Sequence, residues 1–281
     1  MLIKKVGILY HPLAPATQAK AHELTSFLHS RGVETWTNSA WETEKAISCL
    51  DNTDLILTTG GDGTILRAAQ VALQSGVPIT GVNMGTLGFL TELKAAEAVD
   101  QLPALIEGKG WMDERAMLEA NLEPGGEASD QYGSFYALND VVLARGTIAK
   151  LIQVNASIDN KPLTSYRADG VIVATATGST GYSLAAGGPI LCPQSTNLLL
   201  VPIVSHLGLG YSLVLSPDSV VKLQLATSEE ATLSIDGHIN IPVCKSSIVT
   251  VKLSPRKIRF LRLHPQNDFF NVLEDKLRGK K

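Results

Sequence analysis

The hydrophobic period of this chain changes once, near Lys109, and that change confines the fold to two dissimilar parts. Before it, short apolar runs alternate with runs of helical spacing. Residues 6–10, 33–37, 54–58 and 77–82 read as strands. Residues 19–30 place Ala21, Leu24, Phe27 and Leu28 on one helical face, with Gly32 able to close the helix, and 41–50 and 65–73 are helix-like. Such alternation, with continuous apolar strands, builds a parallel sheet covered by helices. From Met112 to Leu263 helical patterns almost vanish. Strand patterns recur over 118–122, 136–144, 151–158, 171–175, 220–225, 232–235, 247–253 and 257–263, and Asn160-Lys161, Asp169-Gly170 and Asp236-Gly237 read as turns. Residues 268–277 close the chain as an amphipathic helix able to pack back on the first part. The expected fold is an α/β N-terminal domain with a parallel, Rossmann-like sheet, plus a mostly antiparallel all-β C-terminal domain. The expected division is 1–108, completed by 265–281, and 109–264.

At 281 residues the chain can bury two cores. Its 44% apolar and 18% charged residues are those of a soluble globular protein. A net charge of −3 without a basic stripe argues against nucleic acid as a partner, and the basic run 276–281 reads as a solvated terminus. Cys49, Cys192 and Cys244 are odd in number and far apart, so they read as buried free thiols in a reducing compartment, without metal spacing or disulfides. No apolar run reaches membrane-span length and the opening residues run straight into a strand pattern, so the expected location is cytoplasmic, with no membrane partner.

Four segments carry chemistry. The first is Thr59-Gly60-Gly61-Asp62-Gly63-Thr64, a strand-to-helix turn. Its glycines let a ligand approach the backbone, and the helix N-terminus behind it suits phosphate. Asp62 in that turn is either a helix N-cap or a chemical group, because a carboxylate repels phosphate unless a cation intervenes or it has a proton to take. The second is 81–90, leaving the next strand. Phe89 there is either core or a stacking face for a planar base. The third is Asn139-Asp140 inside an apolar run, a pair that either caps a loop or meets the diol of a ribose. The fourth runs from Arg167-Ala168-Asp169-Gly170 through Thr175-Ala176-Thr177-Gly178-Ser179-Thr180-Gly181-Tyr182-Ser183-Leu184-Ala185-Ala186-Gly187-Gly188-Pro189. That density of small hydroxyl residues and glycines buries little and is expensive to order, so a purely structural role is a poor explanation.

GGDGT, the Asn-Asp pair and RADG…TGSTGYSLAAGGP, in that order, resemble the NAD kinase family over most of the chain. The GGDG turn alone is shared with lipid and phosphofructokinase-like kinases. The resemblance implies transfer of the ATP γ-phosphate to the 2′-hydroxyl of the adenosine ribose of NAD. It makes Asp62 the general base, with Gly60, Gly61 and Gly63 facing the donor phosphates, Thr64 and Arg67 among the substrate- and cofactor-binding residues, and Phe89 against the adenine. It assigns dinucleotide binding to Asn139 and Asp140. Arg167 and Asp169 fall at the nicotinamide end, and Thr180, Gly181, Tyr182, Ser183, Leu184 and Ala185 wrap the ligand. Lys150, near phosphates, and His238 are further candidates. It also implies Mg²⁺ or another divalent metal carried with ATP, and a homodimer or homotetramer; no residue of the chain is named as a metal ligand. Asp140, Ala168 and Gly181 stand where many members have Glu, Gly or Ser, and Ala, which keeps size or chemistry. Ser205-His206 replaces a common Pro-His pair, and His206 reads as a core histidine. Two other classes compete. A lipid or sugar kinase would share the first turn but has no use for 177–189, and a non-catalytic NAD-binding sensor needs no acid at Asp62. A Rossmann dehydrogenase fails because no GxGxxG follows the first strand.

Overall fold

The computed structural model describes residues 3–85, 88–125, 133–147, 150–204, 210–266 and 268–277. The chain divides into two compact units, Met1–Glu114 with Lys257–Lys281, and Arg115–Arg256.

The first unit runs β1 (Lys5–Tyr10), α1 (Pro15–Ser30), β2 (Glu34–Ser39), α2 (Thr43–Ser48), β3 (Leu55–Gly60), α3 (Asp62–Ala72), β4 (Ile79–Asn83), β5 (Leu93–Lys94) and α4 (Ala98–Ile106). Its strands pair in parallel in the order β2-β1-β3-β4, with β5 parallel on β4. Every position of β3 is buried, so its sequence is apolar or small throughout instead of alternating. Val6, Ile8, Leu55 and Leu57 meet Leu24 and Leu28 of α1 and Leu102 and Leu105 of α4 in one core. α1 starts earlier than its apolar spacing indicates, because Pro15 suits a first helical turn, and Gly32 at φ +76° ends it. α4 has no counterpart in the sequence pattern, since Pro103 interrupts it.

The second unit takes most of β6 (Trp111–Glu123), then β7 (Phe135–Ala137), β8 (Asp140–Arg145), β9 (Ile152–Ile158), β10 (Lys161–Ala168), β11 (Gly170–Ala174), the short helix α5 (Tyr182–Ala185), β12 (Leu198–Ile203), β13 (Leu213–Leu215), β14 (Val221–Leu225), β15 (Ala231–Ile235) and β16 (Ile239–Val243). β17 (Ile248–Arg262) and α6 (Asp268–Leu277) follow. One antiparallel sheet has the order β13-β12-β11-β8-β15-β16, and β10-β9-β14-β17 pair antiparallel in another. Val141, Leu143, Val171 and Val173 from the first share a core with Val154, Leu223, Val249 and Val251 from the second. The alternate residues Val142, Ile172 and Ala174 pack on the opposite face with Leu199 and Val201. Strands β11 and β12, buried on both faces, are apolar throughout for that reason.

The architecture is the expected α/β unit followed by an antiparallel β unit. Several local expectations change. The two strands expected over 247–253 and 257–263 are one, β17; Pro255 lies in an exposed stretch that tolerates its missing N–H. The β9–β10 turn is Asp159-Asn160, with φ of 51° and 62°, one residue earlier than expected. Asp169-Gly170 is not a hairpin turn. Gly170 pairs with both Ala144 and Ile203, and a Cβ there would lie 2.7 Å from the Leu143 carbonyl oxygen. The cysteines are free but not buried: Cys49 is half-buried, and Cys192 and Cys244 are exposed. Thr86 and Leu87, the Ser205-His206 pair and the basic end from 278 lie outside the described residues. No described helix is long and apolar enough to cross a membrane.

Candidate functional site

In the first unit the parallel register sets two loops side by side. Gly60, ending β3, is opposite Asn83, ending β4, and the Met84 N–H donates to the Gly60 carbonyl at 3.2 Å. Asp62 is not a helix N-cap. Gly61 occupies that position and no side chain caps the helix; Asp62 is the first residue of α3. Its carboxylate turns instead to the neighbouring loop, where Oδ2 accepts the Phe89 N–H at 2.8 Å and Oδ1 the Leu90 N–H at 3.0 Å. Gly88 is required beside it, because a Cβ there would overlap Asp62 Oδ1.

The three glycines of the turn differ in kind. A Cβ on Gly60 would strike the buried Thr64 side chain, so this glycine serves packing. Among the described residues Gly61 and Gly63 have no neighbour within 4 Å of an added Cβ, and neither takes a positive φ, so no described contact demands glycine there. Close approach of a ligand is the remaining reason. Arg67 stacks over Trp41 at 5.0 Å, and burial lowers its pKa. Phe89 is half-buried, its ring 6.1 Å from that of Phe269 on α6.

In the second unit Asn139-Asp140 sits where β7 passes into β8. Asp236, at φ +49° in the β15–β16 turn, accepts the N–H groups of Leu138 (2.8 Å), Asn139 (2.7 Å) and Asp140 (3.1 Å). In the sequence Asp236 reads only as a turn residue; its Asp-Gly signature shows the turn but not the loop it grips. Thr175 holds the same loop from the other side. Its hydroxyl donates to the Leu138 carbonyl at 2.6 Å and accepts the Gly178 N–H at 3.0 Å. Gly178 packs so closely on Asn139 that any Cβ would overlap the Asn139 backbone. Asn139, Asp140, Tyr182, Asp236 and Gly237 then line a cavity of about 500 Å³. Tyr182 is 48% exposed, and Asn139 Oδ1 and Ser183 Oγ are buried with no partner among the described residues. Buried orphans of this kind call for a partner from outside the chain. Gly181 lies 3.5 Å (measured to a built Cβ) from Asn139 Nδ2, so alanine would nearly fit there.

Two carboxyls meet here. Asp140 is pushed up to about 7 by burial and then by the Asp236 charge; Asp236 rises to about 6 by burial, opposed by its three backbone N–H bonds. A carboxyl whose pKa is raised on folding stabilises the fold fully below its unfolded value, and that contribution is lost as pH rises through the folded value. The pair therefore weakens the fold progressively between about pH 4 and 7. Asp140→Asn is expected to gain stability relative to the parent as pH goes from 5 to 8, by about 2–3 kcal/mol. Thermal midpoints of both proteins across that range check it; parallel curves would refute it.

The remaining predicted residues of the second unit are not among those lining that cavity. Arg167 lines a second cavity of about 390 Å³ with Gln153, Thr227 and Lys245. Asp169 is ion-paired with Arg145 at 2.9 Å, and Lys150 with Glu229 at 2.9 Å on the surface. Thr180 bonds the Thr177 carbonyl, Leu184 is half-buried and Ala185 exposed on α5, and His238 Nδ1 lies 3.1 Å from the Asp236 carbonyl. Among the described residues no three His, Cys, Asp or Glu side chains converge to hold a metal ion.

Residues 6–110 match the ATP-NAD kinase N-terminal domain and residues 138–263 the ATP-NAD kinase C-terminal domain. The chain belongs to the NAD kinase family. An NAD kinase of Dehalococcoides mccartyi (strain CBDB1) is 50% identical over 278 residues, 99% of this chain and 97% of that relative. An NAD kinase of Chloroflexus aggregans is 41% identical over 277 residues, 99% of both chains. Among solved structures, yeast NADH kinase complexed with NADH superposes with a TM-score of 0.87 at 27% identity, covering 100% of this chain and 89% of that one. An NAD kinase from Archaeoglobus fulgidus in complex with ATP gives 0.79 at 25% identity, covering 99% and 100%. Membership of the NAD kinase family over both halves disfavours the lipid-kinase, sugar-kinase and sensor readings.

Proposed function

We propose that this enzyme, an NAD kinase, transfers the γ-phosphoryl group of ATP to the 2′-hydroxyl of the adenosine ribose of NAD, giving NADP. The observation that carries the reading is the aim of Asp62. It stands at the head of a helix whose turn has two glycines with open space beside them, yet its carboxylate is held off the helix end by two backbone N–H groups. Those bonds leave further lone pairs on both oxygens, one of which can take the hydroxyl proton. Gly61, Gly63 and the α3 N-terminus receive phosphate oxygens. Asn139, Asp140, Thr180, Gly181, Tyr182, Ser183, Leu184 and Ala185 bind the dinucleotide, with Tyr182 offering a stacking face. Arg67, Phe89, Lys150, Arg167, Asp169 and His238 are assigned further contacts with the nucleotides.

The divalent metal belongs to the substrate, Mg-ATP. Phosphoryl transfer then asks the chain mainly for positioning and charge stabilisation. We place the enzyme in the cytoplasm as an assembly of two or four copies. Exposed Val214 on edge strand β13, with exposed Tyr211 before it, offers apolar surface for such contact. The test incubates the purified protein with ATP, Mg²⁺ and either NAD or NADH, and follows NADP or NADPH formation, with sedimentation of the same sample. Phosphorylation of neither dinucleotide, alongside tight NAD binding, would return the reading to a sensor.

A further inference from the structure

Outside the glycine turn, the first unit buries a charged cluster that the chemistry above does not use. Arg262 (7% exposed), Glu92 (5%) and Asp113 (2%) lie together at the end of β17. Arg262 Nη1 is 3.2 Å from Glu92 Oε2 and Nε is 3.3 Å from Asp113 Oδ2. Burying three charges is rarely the most stable choice; well-packed apolar residues of similar volume do as well or better. A geometric task is the better explanation, and the remaining bonds show one. Arg262 Nη1 also donates to the carbonyls of Leu90 at 2.8 Å and Thr91 at 3.4 Å. Leu90 is thus gripped at both ends: its carbonyl by Arg262, its N–H by Asp62. Glu92 Oε1 accepts the N–H groups of Leu263 (2.8 Å) and His264 (2.7 Å), and the Glu92 N–H reaches the Gly81 carbonyl of β4 at 2.8 Å. Gly88 N–H to Thr91 Oγ1, at 3.2 Å, closes the loop on itself.

We infer that segment 88–92, clamped by Arg262 between Glu92 and Asp113, is the positioning element that sets the Asp62 carboxylate. The inference rests on the reading of Asp62 as the base. The guanidinium is suited to the task because its planar fork addresses a carboxylate and a carbonyl at once, which a lysine ammonium cannot do in the same geometry. The Phe89 and Leu90 N–H groups that fix both Asp62 oxygens lie in the peptide units immediately before the carbonyls that Arg262 grips. Displacement of a catalytic group by about 1 Å can lower a rate by about 10²-fold.

The experiment compares Arg262→Lys, Gly88→Ala and Asp62→Asn in the full-length enzyme, measuring kcat, KM for NAD and ATP, and the thermal midpoint. Arg262→Lys weakens the clamp, and Gly88→Ala pushes on the carboxylate without altering any charge. Both are expected to lower kcat by about 10–100-fold with KM within about threefold, measured well below the midpoint. A purely structural role would lower the midpoint and leave kcat per folded molecule unchanged. If both variants keep kcat within threefold while Asp62→Asn is inactive, the positioning role is overturned and the base survives. If Asp62→Asn itself keeps its rate, the base reading is what fails. Should Arg262→Lys not fold, the isosteric Glu92→Gln carries the same expectation and the same refutation.

Discussion

Asp62→Asn is expected to lower kcat for NADP formation by roughly 10²–10⁴-fold, the range that a positioned general base supplies. The isosteric amide cannot accept the 2′-hydroxyl proton. It also cannot replace the carboxylate fully as an acceptor, because its NH₂ would face the Phe89 or Leu90 N–H that an oxygen now receives. A small stability loss of about 1–3 kcal/mol should therefore accompany the lost rate. NAD affinity, measured by calorimetry without ATP, should stay within about threefold, since the proposed dinucleotide contacts are made by other residues. A variant retaining more than a tenth of the parent rate would remove Asp62 from the base role.

Asp236→Ala is expected to produce the largest loss of stability. The carboxylate accepts three backbone N–H bonds from 138–140, two of them fully buried and one partly, and alanine would leave all three donors unpaired. At about 1–3 kcal/mol per orphaned group the loss is at least about 3 kcal/mol. Alanine at φ +49° adds about 1 kcal/mol more. Relief of repulsion with Asp140 offsets part of this. The thermal midpoint should fall by roughly 6–12 °C, and NAD binding should weaken because Asn139 and Asp140 lose their support. Asp236→Asn, which keeps one acceptor oxygen and tolerates the left-handed turn, should fall between the two. A midpoint for Asp236→Ala within about 2 °C of the parent would sink this account.

Much of the fold is legible in the chain because burial on two faces and burial on one leave different periods. β3 and β11 are apolar or small throughout, whereas β9 and β14 alternate. Elements with neither signature escaped, and so did β12, although it is apolar throughout. α4 carries an internal proline, and β10 sits at a sheet edge with mostly exposed or half-exposed residues. The three turns show the same limit. Asp236-Gly237 has the positive φ that its residues favour, but Asp169-Gly170, equally turn-like in sequence, is a crossing between sheets where glycine answers a steric demand from Leu143.

The candidate site divides along the same line. Segments proposed to approach a ligand, GGDGT and the Thr177–Pro189 run, are recognisable because small residues at that density bury little apolar surface of their own and are costly to order. Their supports are not. Asp236 grips Leu138, Asn139 and Asp140 across about a hundred residues of chain, and Arg262 grips Leu90 and Thr91 from the far end of β17. Local sequence determined which residues can do chemistry, since residue type and neighbouring glycines decide what a turn can offer. Only tertiary structure decided where those groups are aimed. The hydrogen bonds that aim them, from Phe89 and Leu90 to Asp62 and from residues 138–140 to Asp236, join positions that no local pattern relates.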